Sequence, residues 1–154
     1  MLYSKYCEYV IRALSYLSLH KKRDKYIMVK EVADETSIPY PFLSKIFQNL
    51  ASANWVESKK GKKGGFTIAV DSNSISLMDI IEWSDGNHVF DNCILGEREC
   101  ALENDCKLQK KCFKLRDDIT GFFKTTTIRD LTECSHDKNI ISKANNFIAT
   151  QKAF

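Results

Sequence analysis

The chain has 154 residues, of which 44% are hydrophobic and 28% charged, with 6 Gly and 2 Pro. This composition predicts a single folded, helix-rich domain and excludes a fibrous or disordered chain. The net charge of +3 is uneven, because residues 1–80 carry 12 Lys and Arg against 8 Asp and Glu (+4), whereas residues 81–154 carry 11 against 12 (−1). A basic N-terminal half favours a polyanionic partner.

No stretch approaches the roughly 18 uninterrupted apolar residues of a membrane span, and the N-terminus lacks the regions of a signal peptide. We therefore expect a cytoplasmic protein with no membrane partner. Thiols stay reduced in that compartment, so the six cysteines are predicted to be metal ligands, reactive groups or packed side chains rather than disulfides.

The N-terminal part of the sequence predicts three helices. Residues 4–20 have apolar side chains near helical spacing, and the run KKRDK ends this first helix. A short second helix carries Val29, Val32 and Ala33, the stretch TSIPY fits a turn, and Pro41 suits the first position of a third helix. The predicted apolar face of that third helix comprises Phe42, Leu43, Ile46, Phe47 and Leu50. Two short helices joined by a tight turn form a helix-turn-helix.

A basic hairpin is predicted next. Apolar residues alternate on both sides of the loop KKGKKGG, at Trp55 and Val56 and again at Phe66, Ile68 and Val70. A helix-turn-helix followed by such a hairpin is a winged helix, whose second helix enters a major groove. The stretch SLMDIIEWSDG, residues 76–86, predicts a further helix that ends at Gly86.

Residues 87–106 lack periodicity, and a long helix is predicted from Leu108 onward. Its apolar positions step by four and three residues, the spacing of a self-pairing coiled-coil seam: Leu108, Cys112, Leu115, Ile119 and Phe122. IRDL and NIISKANNFI are predicted to be short helical pieces of the tail. The expected fold is mainly α with a small β-hairpin: a winged helix-turn-helix DNA-binding domain (1–86), a cysteine-rich loop (87–107), and a dimerisation helix with the C-terminal tail (108–154).

Two sets of residues are predicted to contact DNA. Wing lysines would neutralise phosphates and supply affinity with little sequence preference: Lys59, Lys60, Lys62 and Lys63. Polar residues near the start of the second helix of the motif would read bases: Tyr40, Ser44, Lys45 and Gln48. The alternative is that the lysines only keep a hairpin soluble and the two helices are packing elements.

The clustered cysteines favour a metal group. Cys93, Cys100, Cys106 and Cys112 are separated by six, five and five residues, and none forms the Cys-x2-4-Cys knuckle of structural zinc sites. The wider spacing fits an iron–sulfur cluster better, with zinc as a further option. Cys112 lies at a seam position, where a packed thiol is expected. Acidic neighbours disfavour a reactive thiolate, and no catalytic motif is present, so we do not expect an enzyme.

Several motifs together resemble the IscR/NsrR-like family of winged-helix transcription regulators over about residues 3–132. They are SKYCEYVIRAL, YPFLSKIFQNL, GKKGGF, LMDIIEWSDG, CILGEREC followed by Cys106, and TTTIRDL. The resemblance implies a homodimer that binds palindromic sites on double-stranded DNA. It also implies that Cys93, Cys100 and Cys106 hold a 2Fe-2S or 4Fe-4S cluster.

The fourth ligand implied by the resemblance differs between members. Some take an acidic residue from the first helix of the second subunit, where Glu8 stands, with Cys7 as its neighbouring rival. Others take a His just after the third cysteine, where this chain has Gln109, a poor iron ligand. An ordinary helix carboxylate is the alternative reading of Glu8. Two further departures are Lys107 in place of a common proline and Lys60 at a wing position often held by Arg.

The predicted function is a homodimeric transcription regulator whose DNA affinity is controlled by an iron–sulfur cluster that senses redox state, nitric oxide or iron–sulfur status. Two alternatives remain open. One is a winged-helix regulator without a cluster, which senses through thiols or a protein partner. The other is an iron–sulfur electron carrier that does not bind DNA.

Overall fold

The computed structural model describes residues 3–21, 26–61, 64–86 and 107–133. Its helices and strands, in chain order, are α1 (Lys5–Leu19), α2 (Val29–Thr36), α3 (Tyr40–Ser52), β1 (Val56–Lys59), β2 (Gly65–Ile68), α4 (Leu77–Asp85), α5 (Gln109–Thr125) and α6 (Ile128–Glu133). This order confirms the predicted fold class of a mainly helical chain with one β-hairpin. None of the helices in the described ranges is long and apolar enough to cross a membrane.

The helix-turn-helix consists of α2 and α3. Thr36 ends α2, and Ser37 reverses the chain in a left-handed conformation with φ of 51°. The third helix begins at Tyr40 with Pro39 as its cap, so Pro41 takes the second helical position and the predicted first position was wrong by one residue. The proline is tolerated there because an N–H in the first turn has no acceptor within the helix.

The buried face of α3 is narrower than the sequence predicted. Leu43, Ile46, Phe47 and Leu50 are fully buried, whereas Phe42 is 62% exposed, so its assignment to the apolar face was wrong. The four buried residues follow the i, i+3, i+4, i+7 pattern, and Phe42 lies about 100° around the helix from Leu43. Within the described residues, no neighbouring element covers that side of α3 enough to bury the ring.

The predicted wing is present as an antiparallel hairpin in which Val56 pairs with Ile68 and Lys59 with Gly65. A third segment joins it, because Ile27 and Phe66 exchange two backbone hydrogen bonds of 2.9 and 2.8 Å. Gly65 has φ of 146°, and a Cβ at this position would collide with the backbone of Ile27. The wing can therefore meet the α1–α2 connection only with glycine at position 65.

The helices that follow the wing close the core. Ser76 and Asp79 form a capping box at the start of α4, and Gly86 follows its last residue as predicted. The α5–α6 junction is tied to this start, since the Leu77 N–H donates to the Thr126 carbonyl at 2.8 Å. IRDL is helical as predicted, within α6. Residues 87–106 and the tail segment NIISKANNFI lie outside the described residues.

The long helix α5 leaves much of its apolar surface uncovered. Phe123 is buried against the rest of the chain, with its ring 6.1 Å from that of Tyr3. We call the five residues predicted as a coiled-coil seam the α5 stripe. Leu108, Leu115 and Phe122 are more than half exposed, whereas Cys112 and Ile119 are partly buried.

Candidate nucleic-acid interface and sensor site

The predicted base-reading residues share one side of α3. Tyr40, Ser44 and Gln48 follow one another at four-residue steps, and Lys45 lies beside them. Tyr40 is 53% exposed, Lys45 and Gln48 are exposed, and Ser44 is partly buried. The structure thus places the four residues together on a surface that a DNA groove could approach.

The orientation of α3 is fixed from two directions. On the wing side, the rings of Phe47 and Phe66 stack with centroids 4.8 Å apart. On the α1 side, the Asn49 amide donates a 3.0 Å hydrogen bond to the Tyr6 hydroxyl. These contacts hold α3 in a defined position relative to both the wing and the first helix, so the two predicted DNA-contacting surfaces move together.

The wing contributes positive charge at the end of β1. Lys59 and Lys60 are exposed, and the Lys59 ammonium lies 5.4 Å from the centre of the Tyr26 ring. This cation–π contact supports the lysine without neutralising it. Lys62 and Lys63, the other predicted phosphate contacts, lie outside the described residues.

Glu8, the predicted fourth ligand, takes part in a charged network on α1. Its side chain is only 13% exposed, and its carboxylate accepts hydrogen bonds of 2.7 and 2.9 Å from Lys5 and one of 3.3 Å from Arg12. Arg12 also donates to the backbone carbonyl of Thr36. Two cations therefore hold one carboxylate beside the helix-turn-helix.

The contact between Arg12 and Thr36 reaches the last residue of α2. The final carbonyls of a helix lack partners within the helix and carry partial negative charge. No basic residue lies in the last turn of α2, and the guanidinium of Arg12 supplies that charge from α1. Arg12 was not among the functional residues predicted from the sequence. The four-residue spacing between Glu8 and Arg12 could have predicted their ion pair. No sequence pattern indicated the contact between Arg12 and Thr36, which are 24 residues apart.

A second link joins the start of α1 to the end of α4. The Ser4 backbone N–H and hydroxyl donate hydrogen bonds of 2.6 and 2.5 Å to the Asp85 carboxylate. Ser4 is also the N-cap of α1, where its hydroxyl accepts from the Cys7 N–H. The end of α4, near the last described residue before the cysteine-rich segment, therefore lies next to the first turn of α1, the turn that bears Glu8.

Cys7 is a packed thiol in this structure. It is fully buried, and burial raises its pKa to about 11, only partly offset by a hydrogen bond with the Ser84 side chain. A neutral buried thiol is a poor ligand and nucleophile, so the structure supports the packing interpretation of Cys7. Cys93, Cys100 and Cys106 lie outside the described residues. Within the described ranges, no group of three or more His, Cys, Asp or Glu is placed to hold a metal ion.

A helix-turn-helix followed by a hairpin with a basic tip defines a winged-helix DNA-binding protein. The family model of Rrf2, described as an iron-dependent transcriptional regulator, matches residues 3–134. The chain belongs to this family of DNA-binding transcription regulators. Its members are regulators rather than enzymes, in agreement with the prediction.

Individual relatives agree with this assignment. A protein of Aquifex aeolicus named as an HTH-type transcriptional regulator is 37% identical over 133 residues, 85% of this chain and 91% of the relative. The HTH-type transcriptional regulator NsrR of Shouchella clausii is 28% identical over 129 residues, 83% of this chain and 86% of the relative.

Solved structures share the fold. CymR, the global cysteine regulator of B. subtilis, has a TM-score of 0.69 at 20% identity, covering 84% of this chain and 95% of that one. IscR of T. potens has a TM-score of 0.65 at 21% identity, covering 89% and 90%. At these identities the likeness establishes the winged-helix architecture alone.

Proposed function

We propose that the protein is a homodimeric transcription repressor whose DNA affinity is controlled by an iron–sulfur cluster bound by Cys93, Cys100, Cys106 and Glu8. The proposal assigns residues 1–86 to DNA binding, 87–107 to the cluster and 108–154 to dimerisation. When bound, a cluster supplies a centre that reacts with oxidants or nitric oxide. The description of the Rrf2 family as iron-dependent and the NsrR relatives, one of them named a repressor, support the assignment.

The environment of Glu8 fits an oxygen ligand. Its carboxylate is anionic and accepts three hydrogen bonds, which leaves acceptor capacity on a group with about four lone-pair directions. Three thiolates from the cysteine-rich segment of one copy and the Glu8 carboxylate of the second copy would form a donor set suited to iron.

The contact from Arg12 to the end of α2 is the observation that carries the proposed coupling. The Arg12 guanidinium donates hydrogen bonds to both the Glu8 carboxylate and the Thr36 carbonyl. A change in the partners of the carboxylate is therefore felt at the end of α2, the helix that precedes the recognition helix. Where Glu8 gives up its bond to Arg12 for a new partner, Arg12 loses a counter-charge and its interaction with the Thr36 carbonyl changes. A shift at this point alters the turn that sets the angle of α3.

The α5 stripe supports the homodimer. Three large apolar side chains are more than half exposed along one side of the helix, at the spacing by which two helices pair. A dimer would place two copies of α3 about one DNA turn apart, which matches a palindromic site. In the resulting assembly, Glu8 of one copy completes the cluster site of the other.

A second candidate is a regulator of the same fold that senses through its thiols without a cluster. The observation that favours it is the likeness to CymR structures, one of which is the oxidized form of the S. aureus protein, with a TM-score of 0.66 at 25% identity. Iron and sulfide content of protein prepared without oxygen separates the two candidates.

Anaerobic reconstitution followed by absorption spectroscopy and native mass spectrometry tests the cluster. We expect iron and sulfide bound to the parent chain, and an altered spectrum or faster cluster loss in Glu8→Ala. Glu82→Ala, an exposed carboxylate on α4, is the matched control and should behave as the parent. A parent chain that binds no iron refutes the proposal, and an unchanged cluster in Glu8→Ala removes Glu8 from the ligand set.

Arg12→Gln tests the coupling separately. This change keeps a hydrogen-bonding side chain but removes the charge that joins Glu8 to Thr36. We expect the variant to bind a cluster while its DNA affinity no longer differs between the cluster-bound and cluster-free forms. A variant whose DNA affinity still responds to the cluster as the parent does contradicts the proposed route.

A further inference from the structure

The first turn of α3 presents a surface without charge. Of its four residues only Leu43 is buried, whereas Tyr40, Pro41 and Phe42 are exposed. Phe42 is the most exposed large hydrophobic residue in the described part of the chain, at 62%. The sequence placed it on the buried face, and the structure turns it outward beside the polar residues predicted to read DNA.

Phe42 contributes little to the packing of this chain. The residues that α3 contributes to the core cluster do not include it, and more than half of its own surface faces solvent. Burying a phenyl ring stabilises a contact by about 1.5–3 kcal/mol. A ring left in water at the leading end of a recognition helix is therefore available for a partner.

The binding partner of Phe42 follows from the position of the N-terminal end of α3 in a complex with DNA. In a helix-turn-helix, the N-terminal residues of the second helix face base edges in the major groove. A phenyl ring has no hydrogen-bonding group, so it cannot select the amino, keto or ring-nitrogen groups of the bases. The C5-methyl group of thymine is the apolar feature of the major groove, and Phe is one of the side chains that contact it.

We propose that Phe42 is a specificity-determining residue that recognises one thymine in each half-site through its 5-methyl group. The inference rests on the proposed function only in placing α3 in the major groove. Lys45, one turn further along α3 and exposed, is suited to the acceptor edge of a guanine or to a phosphate. Phe42 therefore adds an apolar element to a set of contacts that is otherwise polar.

The test begins with selection of binding sites from random DNA duplexes by the full chain, in both cluster-bound and cluster-free forms. Each thymine of the enriched site is then replaced by deoxyuridine, which removes only the methyl group. We expect one thymine per half-site at which this replacement weakens binding by about fourfold, the value of one buried methyl-sized group. Replacing that thymine by cytosine should weaken binding, and 5-methylcytosine should recover part of the loss.

Variants assign the effect to the residue. Phe42→Ala should bind thymine and deoxyuridine at that position equally well, whereas Phe42→Leu should retain part of the difference. Met28→Ala, which shortens an exposed apolar side chain outside α3, is the matched control and should keep the full difference. Thermal unfolding of each variant checks the fold, and the deoxyuridine experiment with the parent chain needs no variant.

The outcomes separate this inference from the proposed function. An enriched site at which no deoxyuridine replacement weakens binding overturns the role of Phe42 and leaves DNA binding intact. The same holds if Phe42→Ala keeps the parent's preference for the methyl group. Failure to enrich any site, in either cluster state, overturns the placement of α3 and this inference with it.

Discussion

The helices α3 and α5 carry similar apolar periodicity but differ in what covers it. In α3, four apolar residues at helical spacing are fully buried within one chain. In α5, three of the five stripe residues are more than half exposed, Ile119 packs partly against the core, and Phe123, one position beyond the stripe, is buried. Periodicity in a sequence thus predicts an apolar helix face, but it does not say whether the folded chain buries that face.

The largest expected effect is a difference in stability between substitutions of two phenylalanines of α3. Phe47→Ala removes a fully buried ring that stacks on Phe66, and we expect it to lower the free energy of unfolding by about 3–5 kcal/mol. Phe42→Ala, at the exposed position on the same helix, should change it by less than about 0.5 kcal/mol. Urea denaturation of both variants measures the difference, and equal losses would contradict the burial described here.

The next effect concerns the α5 stripe. Leu115→Glu places a charge at the centre of the proposed dimer contact, so we expect self-association to weaken on the order of a hundredfold, because a desolvated carboxylate without a partner is strongly unfavourable. The monomer should keep its stability, since Leu115 is 57% exposed.

Sedimentation measurements over a range of concentrations follow this association. Lys110→Glu, on the opposite side of α5 and exposed, introduces the same carboxylate away from the stripe, with a change in net charge of about −2 instead of −1 at neutral pH, and serves as the control. If both variants remain as dimeric as the parent, the stripe is not the contact between copies.

The smallest effect concerns the wing. Gly65→Ala introduces a side chain at positive φ and against the backbone of Ile27, so we expect a loss of about 2 kcal/mol in the free energy of unfolding. Gly61 also has a positive φ, 109°, but open space surrounds it. Gly61→Ala should therefore lower the free energy of unfolding by about 1 kcal/mol. Thermal unfolding compares the two, and a loss at position 61 as large as that at position 65 would show that the contact with Ile27 is unimportant.

Much of the fold could be predicted because it depends on local patterns. Helical spacing around Leu14 and Leu50, the glycines of the wing and the stop at Gly86 each act within a few residues, and the structure bears them out. The error at Phe42 arose because a continuous apolar run does not reveal which end of the run the core covers. Burial of that flank depends on neighbouring elements, which a single helix pattern does not contain.

The contacts between distant segments could not be predicted from such patterns. The bond from Arg12 to Thr36 spans 24 residues, and that from Ser4 to Asp85 spans 81. Each depends on the angle at which α1 crosses another helix, and that angle is set by the whole core. The predicted DNA-reading residues needed less information, since their shared side of α3 follows from four-residue steps along one helix.

The aromatic cluster behind the wing provides a natural optical reporter. The chain has two tryptophans, Trp55 and Trp83, whose ring centres lie 5.4 Å apart, and Tyr6 stacks on Trp83 at 6.2 Å. Their ultraviolet emission therefore monitors the junction of the wing, α1 and α4, and Trp83 lies two residues before the end of α4. The fluorescence of the unlabelled protein can follow events at that junction in real time.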